Sequence, residues 1–339
     1  MSVALDATYS VGRNLTGVGV YSREMLFGLA QAHPEEQFLF CYRSQRFLRS
    51  LRETLPGNAS RRLLRGVPAG VDLFHSLNQR VDARARRTIA TFHDLFVMTG
   101  DYSTPEFRER FAQQARDAAG RSDLIIAVSD FTAQQVESLL GVERSRIRTV
   151  HHGVRMPAPV LLARENLILF VGAIQRRKNI ARLIRAFERA PAGWRLALAG
   201  SADGFGAVEE LAAVESSPRR ADIDVLGYVS RQELEALYNR AAIFAFPSLD
   251  EGFGMPVLDA MAHGVAVIAS NRSALPEVVG DAGLLVDPVE VDALADALLR
   301  LATDEALRRD LAARGLRRAR TCTWDAAVAR TWRVYEECR

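Results

Sequence analysis

Short apolar runs alternate with stretches of helical periodicity along the whole chain, and this alternation restricts the fold more than any other feature. The runs cover residues 3–7, 38–42, 73–75, 89–92 and 124–128. They resume at 167–171, 195–199, 224–226, 243–246, 265–269 and 283–286. Near-continuous apolar runs are buried on both faces, as in parallel sheets, and parallel strands need helical crossovers between them. The series is interrupted near Pro157 and Pro159 and then begins again, which divides the chain into two βαβ assemblies. The predicted organisation is an α/β chain with one domain over 1–158, a second over 159–322 and a terminal helix over 323–339. The two domains are expected to be Rossmann-like parallel-sheet units facing across a cleft, with the last helix packing back. The apolar positions Trp324, Ala327, Val328, Thr331, Trp332 and Tyr335 recur at helical spacing in that tail.

Composition narrows the class. Of 339 residues, 48% are hydrophobic and 25% charged, the balance of a globular chain with a core. The formal net charge is only +3, with a slight excess of arginine in the first half. That balance does not suggest nucleic-acid binding. It leaves room for an anionic acceptor or peripheral contact with a membrane face, against the plainer reading of an ordinary solvated surface. Cys41, Cys322 and Cys338 are too few and too scattered for a disulfide framework or zinc site, and read as reduced thiols of a cytoplasmic protein. The first residues lack the basic and apolar regions of a signal peptide, and no run of apolar residues is long enough to span a bilayer.

Ligands of open parallel sheets bind beyond the carboxyl ends of strands, so the informative residues should follow the apolar runs. The densest segment covers 247–264. Gly252 and Gly254 permit close backbone approach there, and Pro256 suits the first turn of a helix whose free N–H groups favour an anion. Glu251 lies on the loop and Asp259 one turn into the helix, where carboxylates suit sugar or ribose hydroxyls. A glycine-rich turn with a capping acid is the plainer alternative. Arg177 and Lys178 follow the run 167–171, and Lys178 is the only lysine among 44 Lys and Arg residues. An ammonium is a compact charge unlike a planar guanidinium, and cations at this place can pair with a diphosphate. Gly17 and Gly19 follow the first run and open a helix. His93 follows the run 89–92, although a single histidine is more often a packed residue than a catalyst. His151 and His152 lie near the domain boundary and are read as hinge or cleft residues.

The segment EGFGMPVLDAMAHG, from Glu251 to Gly264, resembles the E-x7-E signature of the retaining glycosyltransferases of family 4, also called glycosyl transferases group 1, whose fold is GT-B. Glu251 matches the first acid, and Asp259 stands where the family usually has a second Glu. The run at 271–283 is similar to the family's SxLPEVxGDAG stretch, 171–179 to VGxxxxRKN, His93-Asp94-Leu95 to HDL, and Thr16-Gly17-Val18-Gly19-Val20-Tyr21 to TGIGRY. Ala173 stands where many relatives carry an Arg. The resemblance extends over nearly the whole chain and matches in order and spacing.

The resemblance implies a hexosyltransferase acting with retention and without a metal or cofactor. His93, Glu251 and Lys178 would be catalytic. Gly17, Gly19, Arg177, Lys178, Glu251, Gly252, Phe253, Gly254, Met255 and Asp259 would hold a nucleotide-sugar donor. The first guess for that donor is GDP-mannose, and the acceptor would be a glycan or lipid-linked glycan of polysaccharide assembly, met at the inner membrane face. The alternatives are a catalytically inactive sugar-nucleotide-binding subunit and a GT-B phosphorylase or epimerase.

Overall fold

The computed structural model describes every residue except 13, 14, 16, 159–162 and 339. Thr16 of the first glycine loop, and Pro159 with the expected start of the second domain, lie outside the described residues. The chain separates into two compact units. The first contains Met1–Thr99, Thr104–Gly153 and the described residues from 322 onward; the second contains Gly100–Ser103 and Val154–Thr321.

The first unit is built on seven strands: β1 (Ser2–Asp6), β2 (Gln37–Tyr42), β3 (Ala59–Leu63), β4 (Leu73–Ser76), β5 (Arg87–Phe92), β6 (Leu124–Ala127) and β7 (Ile147–Thr149). Their order is β3-β2-β1-β4-β5-β6-β7, and every neighbouring pair is parallel. The second unit has β8 (Glu165–Val171), β9 (Arg195–Ala199), β10 (Ile223–Gly227), β11 (Ala241–Phe246), β12 (Ala266–Ser270) and β13 (Gly283–Val286). These form a second parallel sheet in the order β10-β9-β8-β11-β12-β13. In each sheet the strand order reverses once, between β1 and β4 and between β8 and β11. These reversal points are where crossovers leave to opposite faces and open a crevice at the carboxyl edge.

Each expected apolar run lies on a strand. β11 shows why: all six of its residues are buried, as a strand covered on both faces requires. Strands β3 and β7 carry no such run. Both are edge strands, Ala-Ser-Arg-Arg-Leu and Ile-Arg-Thr, and both keep arginines half-buried or exposed. An edge strand has a neighbour on one side only and needs little apolar sequence.

The terminal helix Trp324–Glu337 is capped by the Thr323 side chain, which accepts from Ala326 N. It packs on the helix Gly17–Ala32 of the first unit. Trp332 stacks on His33 with ring centroids 3.6 Å apart. Tyr335 reaches into the sheet, its hydroxyl 2.6 Å from His75 Nδ1 on β4. The other nitrogen of His75 lies 2.8 Å from Thr91 Oγ1, which also meets the Tyr21 hydroxyl at 2.9 Å. His75 is fully buried, and burial, aided by nearby His93, pushes its pKa down to about 3. The imidazole is therefore neutral, using both nitrogens in a closed polar chain.

Tyr335→Phe removes one end of that chain and leaves a buried ring nitrogen unpaired, a cost of about 1–3 kcal/mol. Urea unfolding at neutral pH should show that loss, and an unchanged midpoint would mean the bond contributes nothing. Since the folded pKa of His75 is depressed, the unfolded chain takes up the proton first. Stability should fall as pH drops below 6.5 and continue falling toward about 3.

Candidate functional site

In the second unit the loops after β8 and β11 meet at the reversal point. The chain leaves β8 and forms a 3₁₀ turn, Arg176–Lys178, ended by Asn179 in the left-handed region at φ 62°. The Asn179 amide donates to Pro247 O at 3.0 Å and Pro288 O at 2.6 Å, tying the turn to the loops after β11 and β13. Leu249 N donates to Arg177 O at 2.7 Å, and Arg177 Nη1 to Asp250 O at 2.9 Å. These bonds bring together residues separated by about seventy positions in the chain.

Three charges meet there. Lys178 Nζ lies 2.5 Å and Arg177 Nη1 2.8 Å from the same oxygen, Glu251 Oε1. Lys178 is 5% exposed and Glu251 8%, and the ammonium sits 4.6 Å from the centre of the Phe246 ring. Burial by itself would raise the Glu251 pKa. The two cations outweigh it and hold the carboxyl at about 2, so it is ionised throughout the physiological range. The Glu251 backbone N–H donates to Ser273 Oγ at 3.1 Å. The following helix, Ile180–Phe187, has its first turn served from within the chain: Ala181 N donates to Glu210 Oε2 at 2.8 Å.

Beyond Glu251, Gly252 and Phe253 are buried and Met255 is half-buried. Gly254 precedes the helix Met255–Ala262 at φ 109°, and a Cβ there would lie 2.6 Å from Leu275 Cδ2. Only glycine fits this conformation and this space. No side chain caps that helix; the Gly254 carbonyl accepts from Val257 N at 3.0 Å and Leu258 N at 3.3 Å. Asp259, inside the helix, differs from Glu251. Burial pushes its pKa up to about 7, with Arg231 acting weakly against. The sequence separated the two acids by place and length but said nothing of their charge states. The structure makes Glu251 charged and Asp259 titratable near neutrality, because two cations contact Glu251 while burial outweighs the one cation acting on Asp259.

In the first unit Gly17 is exposed at the start of its helix, and Gly19 is buried where a Cβ would lie 2.9 Å from Tyr9 O. His93 lies just beyond β5. Its Nε2 is 2.9 Å from Leu77 O, so that nitrogen carries the proton. Its backbone N–H reaches Gln79 Oε1 at 3.4 Å. The ring is edge-on to Tyr21 at 4.8 Å and stacked with His152 at 5.5 Å. Burial lowers the His93 pKa to about 4, leaving a neutral imidazole. Sequence reasoning missed His152, His75, Thr91 and Tyr21 as the surroundings of His93. The two histidines at 151–152 were visible as a pair, but nothing in the spacing placed one against the other loop.

Comparisons with known proteins identify the family and the fold. The model of Glycosyltransferase Family 4 matches residues 17–156, and that of Glycosyl transferases group 1 matches residues 157–318. The O-antigen chain mannosyltransferase B of Escherichia coli is 32% identical, covering 97% of this chain and 98% of its own length. Sucrose-phosphate synthase from Thermosynechococcus elongatus superposes with a TM-score of 0.81 at 22% identity, over 99% of this chain and 98% of that one. Anabaena HepE in complex with UDP-glucose gives a TM-score of 0.75 at 17% identity, over 99% of each chain. The two structural likenesses concern the fold, while the family matches and the mannosyltransferase extend over the residues that carry the charges. The chain is thus a glycosyltransferase, and it belongs to family 4, the glycosyl transferases group 1, with the GT-B fold.

Proposed function

We propose that this enzyme transfers a mannosyl unit from GDP-mannose, with retention and without a metal ion, to a glycan or lipid-linked acceptor in polysaccharide assembly. The observation that carries the reading is the triad of Arg177, Lys178 and Glu251 at the reversal point of the second sheet. Its own charges leave one positive in excess, at a carboxyl edge suited to a diphosphate. The 32% identity to a mannosyltransferase of O-antigen assembly supports the choice of sugar and acceptor class.

The donor binds mainly to the second unit and the acceptor to the first. Arg177 and Lys178 receive the diphosphate beside the loop of Gly252, Phe253 and Gly254 and the first helical residue, Met255. As the bond from the anomeric carbon to the diphosphate oxygen breaks, charge grows on that oxygen, and the two cations stabilise it. The acceptor hydroxyl bonds to the anomeric carbon from the face the diphosphate leaves, and its proton passes to the departing phosphate oxygen. Glu251 accepts from hydroxyls of the transferred sugar, and Asp259 from the ribose. Gly17 and Gly19 bring backbone amides to the donor. His93, held neutral, offers a hydrogen bond to the sugar rather than a charge. Positioning and fixed electrostatics supply most of the catalysis.

A panel of nucleotide sugars tested by thermal shift and turnover should single out GDP-mannose, with an α-linked product by NMR from the α-linked donor. A β-linked product, or preference for another nucleotide, would replace this reading. Lys178→Ala should lower kcat/KM about 10²–10³-fold, the usual effect of removing one preorganised partner of a developing oxyanion. Glu251→Gln should lower turnover while leaving the melting profile of a folded protein; wild-type kinetics in both variants would remove the triad from catalysis. Asp259 accepts hydrogen bonds best when ionised, and its pKa stands near 7. The donor KM should therefore fall as pH rises through about 7, and Asp259→Asn should abolish that dependence.

A further inference from the structure

Backbone strain gathers around the charged triad. Among the described residues two non-glycine residues lie in the left-handed region, Asn179 at φ 62° and Ser273 at φ 56°. Both adjoin the triad: Asn179 follows Lys178 in the chain, and the Ser273 hydroxyl meets the Glu251 backbone at 3.1 Å. Asparagine visits that region readily because its short polar side chain bonds locally. Serine has no such ease, and strain of this kind persists where the surroundings over-determine it. A glycine would take φ 56° without steric cost, but it would bring no hydroxyl.

The hydroxyl of Ser273 is used in both directions. It donates to Arg272 O at 2.7 Å, which takes its one hydrogen and leaves a lone pair to accept from Glu251 N at 3.1 Å. In return Ala274 N donates to Glu251 O at 3.3 Å. Both main-chain polar groups of Glu251 are thus tied to residues 273–274. That segment has anchors of its own. Asn271 N donates to Val286 O at 2.9 Å, Arg272 N donates to Ser270 Oγ at 3.1 Å, and the Arg272 guanidinium pairs with Asp287 at 2.8 Å. The loop after β12 is therefore braced against β13. Through Ser273 it holds the residue whose carboxylate meets Arg177 and Lys178.

We propose that Ser273 is a positioning residue for Glu251: its hydroxyl and its left-handed backbone set where the carboxylate stands. A glutamate side chain is flexible, so a carboxylate shared by two cations needs its Cα held in place. Lys178 Nζ and Arg177 Nη1 approach the same oxygen at 2.5 and 2.8 Å, and contacts this close are lost with a small shift of the backbone. Ser273 acts through Glu251, and its use in the reaction rests on the reading that Glu251 accepts from hydroxyls of the transferred sugar. A serine that merely shaped the turn would alter stability alone.

Two variants of the full chain test this. Ser273→Gly removes the hydroxyl and relieves the strain, while Ser273→Ala removes the hydroxyl and keeps the strain. Melting of Ser273→Gly should stay within about 4 °C of the parent, since the relief offsets the lost bond. Turnover of GDP-mannose should nonetheless fall about 10–10²-fold in both variants, with the larger share in kcat, as expected when a reacting group is misplaced. Adding Glu251→Gln to Ser273→Gly should cause no loss beyond that of Glu251→Gln alone, because one residue acts through the other. NMR of carboxyl-labelled glutamate reads the position directly. The Glu251 signal, identified by its absence in Glu251→Gln, should shift in both Ser273 variants as its cations draw away. Additive losses, or an unmoved Glu251 signal in both variants, overturn the proposal. A fall in turnover that only tracks a fall in melting temperature assigns Ser273 to the turn and overturns it as well. Failure of the proposed reaction is separate: full activity of Glu251→Gln, or no turnover of GDP-mannose, would remove that reading, and the carboxyl signal would still decide whether Ser273 places Glu251.

Discussion

Parallel strand pairing is the constraint on which the rest of this molecule depends. A parallel pair cannot be closed by a tight turn, so each strand must return through a crossover, commonly a helix. The crossovers cover both faces of each sheet, which is why β11 is buried end to end, whereas the edge strand β3 carries two successive arginines. They also gather the loops that follow strands at one edge. Where the strand order reverses, neighbouring crossovers go to opposite faces and leave a crevice at that edge, lined by the loops that follow the two strands. Residues 177–178 and 251 meet because β8 and β11 are neighbours at such a place, not because they are near in sequence.

The electrostatics at this point form a balanced but replaceable arrangement. A buried ammonium and a buried carboxylate each lose hydration, and only close pairing makes that tolerable. Glu251 supplies the anion for both Lys178 and Arg177, and its depressed pKa records how strongly they hold it. A diphosphate carries more negative charge than a carboxylate and can engage the same cations without competing for their hydration. On the proposed reading, the cations are therefore prepositioned by an internal anion, which lowers the reorganisation needed at the reaction step. The choice of lysine fits this geometry. Its ammonium occupies a small space over Phe246 that a planar guanidinium would fill differently.

Much of this was legible in the sequence because burial on both faces writes itself into a strand as an unbroken apolar run. The central strands follow from that rule, and so does the terminal helix, whose apolar positions recur at helical spacing. The edge strands β3 and β7 do not, since one open side removes the need for such a run. The candidate site was legible as separate motifs. That Arg177 and Lys178 share one oxygen of Glu251 was not, because the contact depends on the spatial order β8-β11 and on Asn179 pinning two loops. The surroundings of His93 were hidden for the same reason: the His75–Tyr335 bond joins residues 260 positions apart. Pairwise long-range polar contacts leave no periodic trace, whereas repeated burial does.

Asp259 shows how a conservative replacement acquires chemistry from its place. Aspartate and glutamate have similar intrinsic acidity, so sequence alone does not separate the charge states of the two acids of the motif. In the fold they diverge by several pKa units, from about 2 for Glu251 to about 7 for Asp259. The cause is not the side chains but their neighbours: two cations on one, and burial with a single modest cation acting on the other. A shorter acid within a helix cannot extend toward a distant positive partner. Its charge state then depends on what binds beside it, since a hydroxyl that donates to the carboxylate favours ionisation and lowers the pKa. Ligand binding and proton release at Asp259 are thus linked, so a donor that hydrogen-bonds to Asp259 will expel a proton on binding near neutral pH.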